Sequence, residues 1–299
     1  MRSKFTIIFI FLVPFMGIKA QKPITILEDS IIIGSSNLPA ISVTIPEADH
    51  DKVLKLWIKE LQSGTKSKVV NDNGEMSIFG ARIKSISSNP LNVYSRLNKL
   101  DSMLVLVASF ELKKDQYIER SGGEPEFSKA TEYLKEFSKT QYISVAKDEA
   151  DAERKKLRDL EKELSSLENE KSKLQKSIQT AKNNILNEQE NIVVQKNELS
   201  MVTTALDVQS KELSDMEEEN PAKKEKAQAV KDLEKRQKRA SNSIESSENK
   251  IKKANSDIEK AEAEIPRNEK MQDRVKDQIK EQAAVFKKYD DKLKKIRSY

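Results

Sequence analysis

Residues 217–224, Glu-Glu-Glu-Asn-Pro-Ala-Lys-Lys (EEENPAKK), break a long run of charge-rich, helix-forming sequence. Asn220 is a good helix N-cap, and Pro221 suits a first helical turn, where a missing amide hydrogen costs little. The stretch therefore predicts a turn at 217–222 between two helices. On both sides the apolar residues repeat every seven positions. Upstream, Ile143, Leu157, Leu164, Ile178, Ile185, Ile192, Leu199, Leu206 and Leu213 occupy a positions, and Ala146, Leu160, Leu167, Leu174, Ala181, Val202 and Met216 occupy d positions. Downstream, Val230, Ile244, Ile251, Ile258, Ile265, Ile279, Phe286 and Leu293 are a, with Leu233, Ala240, Ala254, Ala261, Val275, Tyr289 and Ile296 at d. Spacing sustained over this length is the signature of a coiled coil.

Folding the chain back at Asn220 pairs every a residue with a d residue of the other run, as an antiparallel coiled coil requires. Ile143 then meets Ile296, Leu164 meets Val275 and Leu206 meets Leu233. Sizes complement one another, with Ile178 facing Ala261, Ile185 facing Ala254 and Leu199 facing Ala240. Large opposite small keeps the interhelical distance even. Charge favours the same pairing. Residues 141–220 carry 12 basic and 18 acidic side chains, a net −6, whereas residues 221–299 carry 23 and 15, a net +8. A parallel dimer of the first run would place Glu188 against its own copy. In the hairpin Glu188 lies against Ile251, within reach of Lys252. At ~1.5 Å per residue, an arm from Ile143 to Met216 is roughly 110 Å long.

Residues 21–142 read differently, as a small α+β domain ahead of the hairpin at 143–299. "ISVTIP" alternates Ile41, Val43 and Ile45 with Ser42 and Thr44, the pattern of a half-buried strand. Asp49 is placed to cap a helix whose Val53, Leu56, Trp57 and Leu61 share one face. "NDNG" (71–74) signals a hairpin turn, "LNVYSRL" alternates again, and "MLVLVASFEL" (103–112) is apolar on both faces, as a central strand should be. After "SGGEPE" a second helix carries Phe127, Ala130, Leu134 and Phe137 at helical spacing. This order predicts an antiparallel sheet with both helices on one side, a ferredoxin-like sandwich or a relative of it. The opposite face, with Ser42, Thr44, Asn92, Tyr94 and Arg96, is the candidate partner surface.

Arg2 and Lys4 precede an apolar run from Phe5 to Phe15, with Ala20 at the expected cleavage point. Residues 1–20 therefore read as a cleavable signal peptide, and the mature chain as periplasmic or secreted without stable membrane insertion. The net charge of +5 includes Arg2, Lys4 and Lys19, so the mature chain carries only +2. Charges of both signs are interspersed without an aromatic-basic motif, which argues against nucleic-acid binding. The chain has no cysteine, so packing alone must hold it.

Catalytic chemistry finds little footing. The only histidine, His50, sits in "EADHD" with Glu47, Asp49 and Asp51, but acidic residues at a helix start are already explained by capping and the helix dipole. No metal, cofactor or catalytic residue is assigned. Within the second run, Pro266 lacks the amide hydrogen of an interior helix position, and the seam around it becomes polar where Lys171 lies opposite Asn268. Pro266, Lys171 and Asn268 mark a possible hinge. Gln195, Gln209, Gln237 and Ser247 are polar core positions suited to fixing register.

The segments "TIPEADHDKVLKLWIKEL", "GARIKSIS" and "MLVLVASFEL", followed by a charged coiled-coil tail, resemble a family of secreted Bacteroidota proteins with no assigned activity. That resemblance implies an envelope location and leaves activity open. The sequence points to a non-enzymatic structural or interaction protein, a small domain on a rigid spacer whose partners are other envelope proteins. The alternative is a periplasmic holdase-type chaperone with helical arms. It requires apolar residues outside the a/d seam, where the sequence reads as mostly Lys, Glu, Asp, Ser and Asn. An enzyme in the small domain is a third reading, needing a pocket with converging carboxylates.

Overall fold

The computed structural model describes residues 22–299, so the leader expected at 1–20 lies outside the described residues. The element order is β1 (Ile26–Ile33), β2 (Ser36–Pro46), α1 (His50–Leu61), β3 (Val70–Asp72), β4 (Glu75–Ala81), β5 (Leu91–Leu100), β6 (Met103–Lys113), β7 (Gln116–Tyr117), α2 (Glu124–Ser214) and α3 (Lys223–Arg297). A short 3-10 turn, Arg120–Gly122, leads into α2. Two compact units result. One holds the residues up to Arg154 together with Ala284–Tyr299, and the other is Lys155–Ala283.

In the first unit the strands form one antiparallel sheet in the order β1-β2-β6-β5-β4-β3, with β7 on β6. The doubly apolar "MLVLVASFEL" is β6, paired with β2 on one side and β5 on the other. One face carries Ile41, Val43, Ile45, Ile78, Val93, Leu106 and Phe110, packed against Val53, Trp57 and Leu61 of α1 and Phe127, Ala130 and Leu134 of α2. Both helices thus cover the same face, as the period-two and helical patterns require. At the centre Trp57 is fully buried, edge-on to Phe137 at 4.9 Å, and its indole N–H donates to Ser95 Oγ at 2.9 Å. The helix start is as expected, with Asp49 Oδ1 accepting from the Lys52 amide at 2.9 Å. At "NDNG", Asn73 (φ 47°) and Gly74 (φ 87°) adopt the left-handed pair of a hairpin turn joining β3 to β4.

The sheet is wider than the strands the sequence announced. β1, β3 and β7 lack a clean alternation, since β1 is largely exposed and the other two are three and two residues long. Its second face holds a smaller apolar cluster of Ile31, Leu38, Ala40 and Val107.

The helix after "SGGEPE" does not stop before the heptads begin. α2 is one helix of 91 residues, because the sequence between Phe127 and Leu157 contains neither glycine nor proline and the apolar spacing of a core-facing helix passes directly into an a/d seam. Within the first unit, Tyr142, Ala146 and Ala150 of α2 pack with Leu293 and Ile296 of α3. Ile143 and Tyr289 border this cluster, so the expected a-to-d pairing is present there.

In the second unit α2 and α3 are antiparallel partners. Leu167, Val202, Val230, Ala240, Ala261 and Val275 are buried in the seam. Cross-helix contacts follow the expected register from end to end: Lys171 to Glu269 at 2.7 Å, Asn191 to Ser247 at 2.9 Å, Thr203 to Gln237 at 3.0 Å, and Glu212 to Lys226. Glu188 departs from expectation, pairing with Lys250 at 2.8 Å rather than Lys252. Lys250 occupies a g position beside the seam, whereas Lys252 is at b and faces outward. At the turn, Asn220 Oδ1 accepts from the Ala222 amide at 2.9 Å and Lys223 Nζ donates to the Met216 carbonyl at 3.2 Å; α3 begins only at Lys223, so Asn220 and Pro221 lie in the turn ahead of it rather than at its N-cap and first helical position. No helix among the described residues is long and apolar enough to cross a membrane.

Candidate functional site

The five residues expected to form one polar partner face do not act together. Thr44 is tied to the incoming segment, its Oγ1 accepting from the Thr25 amide at 2.8 Å. Ser42 is buried. Arg96 pairs with Glu75 at 2.7 Å, while the Gly34 amide reaches Glu75's other oxygen at 3.1 Å, so the tip of the β1–β2 hairpin lies near β4. Only Asn92 and Tyr94 converge, and they do so on a residue that sequence reasoning missed, Glu111.

Glu111 is 6% exposed on β6. Its carboxylate accepts from Asn92 Nδ2 at 2.8 Å, Tyr94 Oη at 3.1 Å and the Asp115 amide at 2.9 Å. Burial pushes its pKa up, but these three donors outweigh burial and hold it below the usual carboxylate range. Burial and the bond to Glu111 push the Tyr94 hydroxyl up to about 12. Asn92 serves twice, its Oδ1 also accepting from the Gly80 amide at 3.1 Å, where β4 is irregular and Gly80 has φ 79°. A carboxylate saturated this way is a structural knot joining β5, β6 and the β6–β7 turn, not a free acid or base. Its sequence signal was faint: one acidic residue at an outward position of an otherwise apolar strand.

A second buried charge lies where α3 ends. Lys292, with a 9% exposed side chain, contacts Glu47 at 2.5 Å and Glu149 at 2.9 Å. Burial lowers the Lys292 pKa, and the hydrogen bonds the ammonium donates to both carboxylates more than offset it, leaving the ammonium above its usual value. Glu47 has φ 59°, a left-handed conformation rare for a non-glycine residue. The link fastens the last turns of α3 to the β2–α1 corner and to α2. It explains the Glu47 of "EADHD", whose other acids are engaged locally: Asp49 caps α1 and Asp51 Oδ1 lies 3.0 Å from His50 Nδ1. Among the described residues no group of three or more histidines, cysteines or acids is placed to hold a metal ion.

In the second unit α3 continues as helix through Pro266. The adjacent seam is polar as read: Asn268 and Gln272 are buried, Gln272 Nε2 donates to Asn268 Oδ1 at 2.8 Å, and Asn268 Nδ2 donates to Glu170 at 3.2 Å. Lys171 turns away to Glu269. Such polar layers penalise a slipped register, because each shift would bury an unpartnered amide.

The outer surface of α2 qualifies the expectation of a mostly polar exterior. Leu186, Val193, Val194, Met201 and Val208 are 58%, 59%, 60%, 63% and 50% exposed. All lie outside the a/d seam, and their recurrence every seven or eight residues was visible in the sequence beneath the stronger heptad signal. Against known proteins, the chain matches no family model, and no curated protein gives a significant match.

Proposed function

We propose that this is a non-enzymatic structural or interaction protein of the cell envelope, in which the helical hairpin is a stiff spacer that brings partners together. The observation that supports this most is the pairing in the second unit. Two long helices share a seam whose register is fixed by polar contacts between them, Asn268 to Glu170, Asn191 to Ser247 and Gln237 to Thr203, with Asn268, Gln272 and Ser247 buried. Fixed register makes a paired helix act as a strut rather than a loose tether. The chemistry of the small domain agrees, since its two buried charges are consumed by internal partners.

The envelope location rests on the leader-like residues 1–20. The test is in-cell photocrosslinking from the turn at Asn220, from Met201 on the outer face of α2, and from Arg96 on the sheet. Recovery of defined envelope proteins from one of these positions supports the reading. A chain found wholly in the cytoplasm, or crosslinks spread evenly over heterogeneous polypeptides, overturns it.

The exposed apolar residues of α2 favour a second reading, a holdase that shelters unfolded chains. An aggregation assay separates the two, because a spacer leaves the aggregation of an unfolded outer-membrane protein unchanged at stoichiometric levels. Strong protection that is lost in Met201→Glu would put the holdase first.

A further inference from the structure

Between Asn183 and Val208 the chain loses its usual charge. Only 5 of these 26 residues are charged, Glu188, Glu190, Lys196, Glu198 and Asp207, in a protein that is 34% charged overall. Two of the five are engaged across the seam, Glu188 with Lys250 and Glu198 with Arg236. The segment is also apolar on two sides. Ile185, Ile192, Leu199, Val202 and Leu206 face α3, while Leu186, Val193, Val194, Met201 and Val208 face out, Val194 at the border of the stripe formed by the other four. A helix with two apolar faces is built to sit between neighbours, and α3 supplies only one.

The outward face has an internal symmetry. At 3.6 residues per turn, Leu186, Glu190, Val193, Asn197, Met201, Thr204 and Val208 fall within an arc of about 80°. All seven are exposed. Read from the central Asn197 in either direction, the order is the same: apolar, polar, apolar. Leu186 and Val208 stand at equal distances from Asn197, as do Val193 and Met201, and Glu190 and Thr204. A two-fold interface requires one surface to complement its own inverted copy. A face read by a different partner has no reason to be symmetric.

We infer that this face of α2 pairs with the same face of a second copy of the chain, antiparallel, about a two-fold axis at Asn197. Leu186 then packs on the partner's Val208, and Val193 on the partner's Met201. The two Asn197 amides meet at the axis, where each can donate to the other. Charge selects the direction. In a parallel pair Glu190 would face its own copy, whereas in the antiparallel pair it lies opposite Thr204, whose hydroxyl can donate to it. The contact is small. From Leu186 to Val208 the stripe is ~33 Å long and one helix wide, covering roughly 700 Å² over both copies, below the ~1,200 Å² typical of a stable interface. The dimer is therefore a concentration-dependent one, formed in the micromolar range or above.

The test uses the purified full chain and needs no envelope partner, so it is independent of the function proposed above. Sedimentation equilibrium from about 5 to 500 µM should show reversible monomer–dimer exchange, with Met201→Glu weakening it at least ~10-fold, because each substitution enters the contact twice. The cysteine-free sequence allows direct mapping. Asn197→Cys should oxidise to a disulfide dimer. Glu190→Cys and Thr204→Cys should each fail alone and crosslink when mixed, since a disulfide needs Cα atoms within about 7 Å. A chain that stays monomeric throughout, a dimer untouched by Met201→Glu, or self-crosslinking of Glu190→Cys equal to that of Asn197→Cys overturns the inference. A monomer that shelters unfolded chains through Met201 assigns the face to clients instead.

Discussion

Replacing Lys292 with methionine removes one charge from the end of α3 while keeping most of the stem that packs beneath it. The ammonium sits 2.5 Å from Glu47 and 2.9 Å from Glu149, with its side chain 9% exposed. Removing one member of a buried ion pair costs about 3–5 kcal/mol, mainly because the remaining charge is stranded. Here Glu47 is 16% exposed but Glu149 is 37% exposed, so water recovers part of the second contact. The expected loss is about 2–3 kcal/mol for Lys292→Met, since the exposed partner's share is screened. Trp57 is the only tryptophan and lies in the sheet core, so its fluorescence during urea unfolding reports the first unit alone. The double variant Lys292→Met with Glu47→Gln should recover at least half of the loss, because no buried charge is left without a partner. The pH dependence carries its own sign. A lysine whose folded pKa is raised stabilises fully below its unfolded value of about 10.5, and that share disappears as pH rises through the higher folded value. The difference between wild type and Lys292→Met should thus hold from neutral pH to about pH 10 and shrink above it. A loss under ~0.5 kcal/mol, or one that Glu47→Gln fails to relieve, would show that packing rather than charge holds the end of α3.

Three further outcomes follow from single contacts. Ser95→Ala strands the fully buried Trp57 indole N–H and should cost about 1–3 kcal/mol by the same fluorescence assay, with little loss meaning that this bond does not anchor α1. Glu111→Gln should flatten the acid side of the stability curve. A carboxylate with a depressed folded pKa stabilises above its unfolded value of about 4.5, and that share is lost as pH falls through the lower folded value. Equal acid sensitivity in wild type and variant would remove Glu111 from that account. Asn220→Ala removes the side-chain acceptor of the Ala222 amide in the turn ahead of α3 and should lower hairpin stability by about 1 kcal/mol, seen as a lower helical melting temperature by circular dichroism, whereas an unchanged melt would mean water serves that amide equally well.

What could be read from the sequence followed from periodicity, and what escaped it came from distance. The seam, the turn at Asn220, the cap at Asp49 and the doubly buried β6 each depend on residues close in the chain, and all stand as read. Glu111 and Lys292 depend on partners brought together by folding: Asn92 and Tyr94 lie on a neighbouring strand, and Glu47 is 245 residues from Lys292. No local pattern announces such a pair. The internal partners of the candidate polar face went unread for a related reason. Alternation correctly placed Ser42, Thr44, Asn92, Tyr94 and Arg96 on the side away from the helices, but not the buried glutamate, the curled β1–β2 tip or the incoming Thr25 that occupy their polar groups. The narrow b and c stripe of α2 was masked by the a/d signal running beside it.

That stripe changes what the hairpin is. A two-helix coiled coil that acts only as a spacer needs one apolar seam, and every other position gains solubility from charge. Most of the arm obeys this, since residues 155–182 are dense in lysine, arginine and glutamate. Asn183–Val208 does not, and the substitution is one-sided: opposite it on α3, residues 231–253 remain heavily charged. Random loss of charge would spare no particular arc, whereas here the apolar residues keep a helical spacing from Leu186 to Val208 and the polar ones of the same arc are neutral apart from Glu190. Exposed aliphatic surface costs solubility unless something covers it. The hairpin is better understood as two sides of a larger helical assembly, complete along most of its length and awaiting a third helix on the outer face of α2.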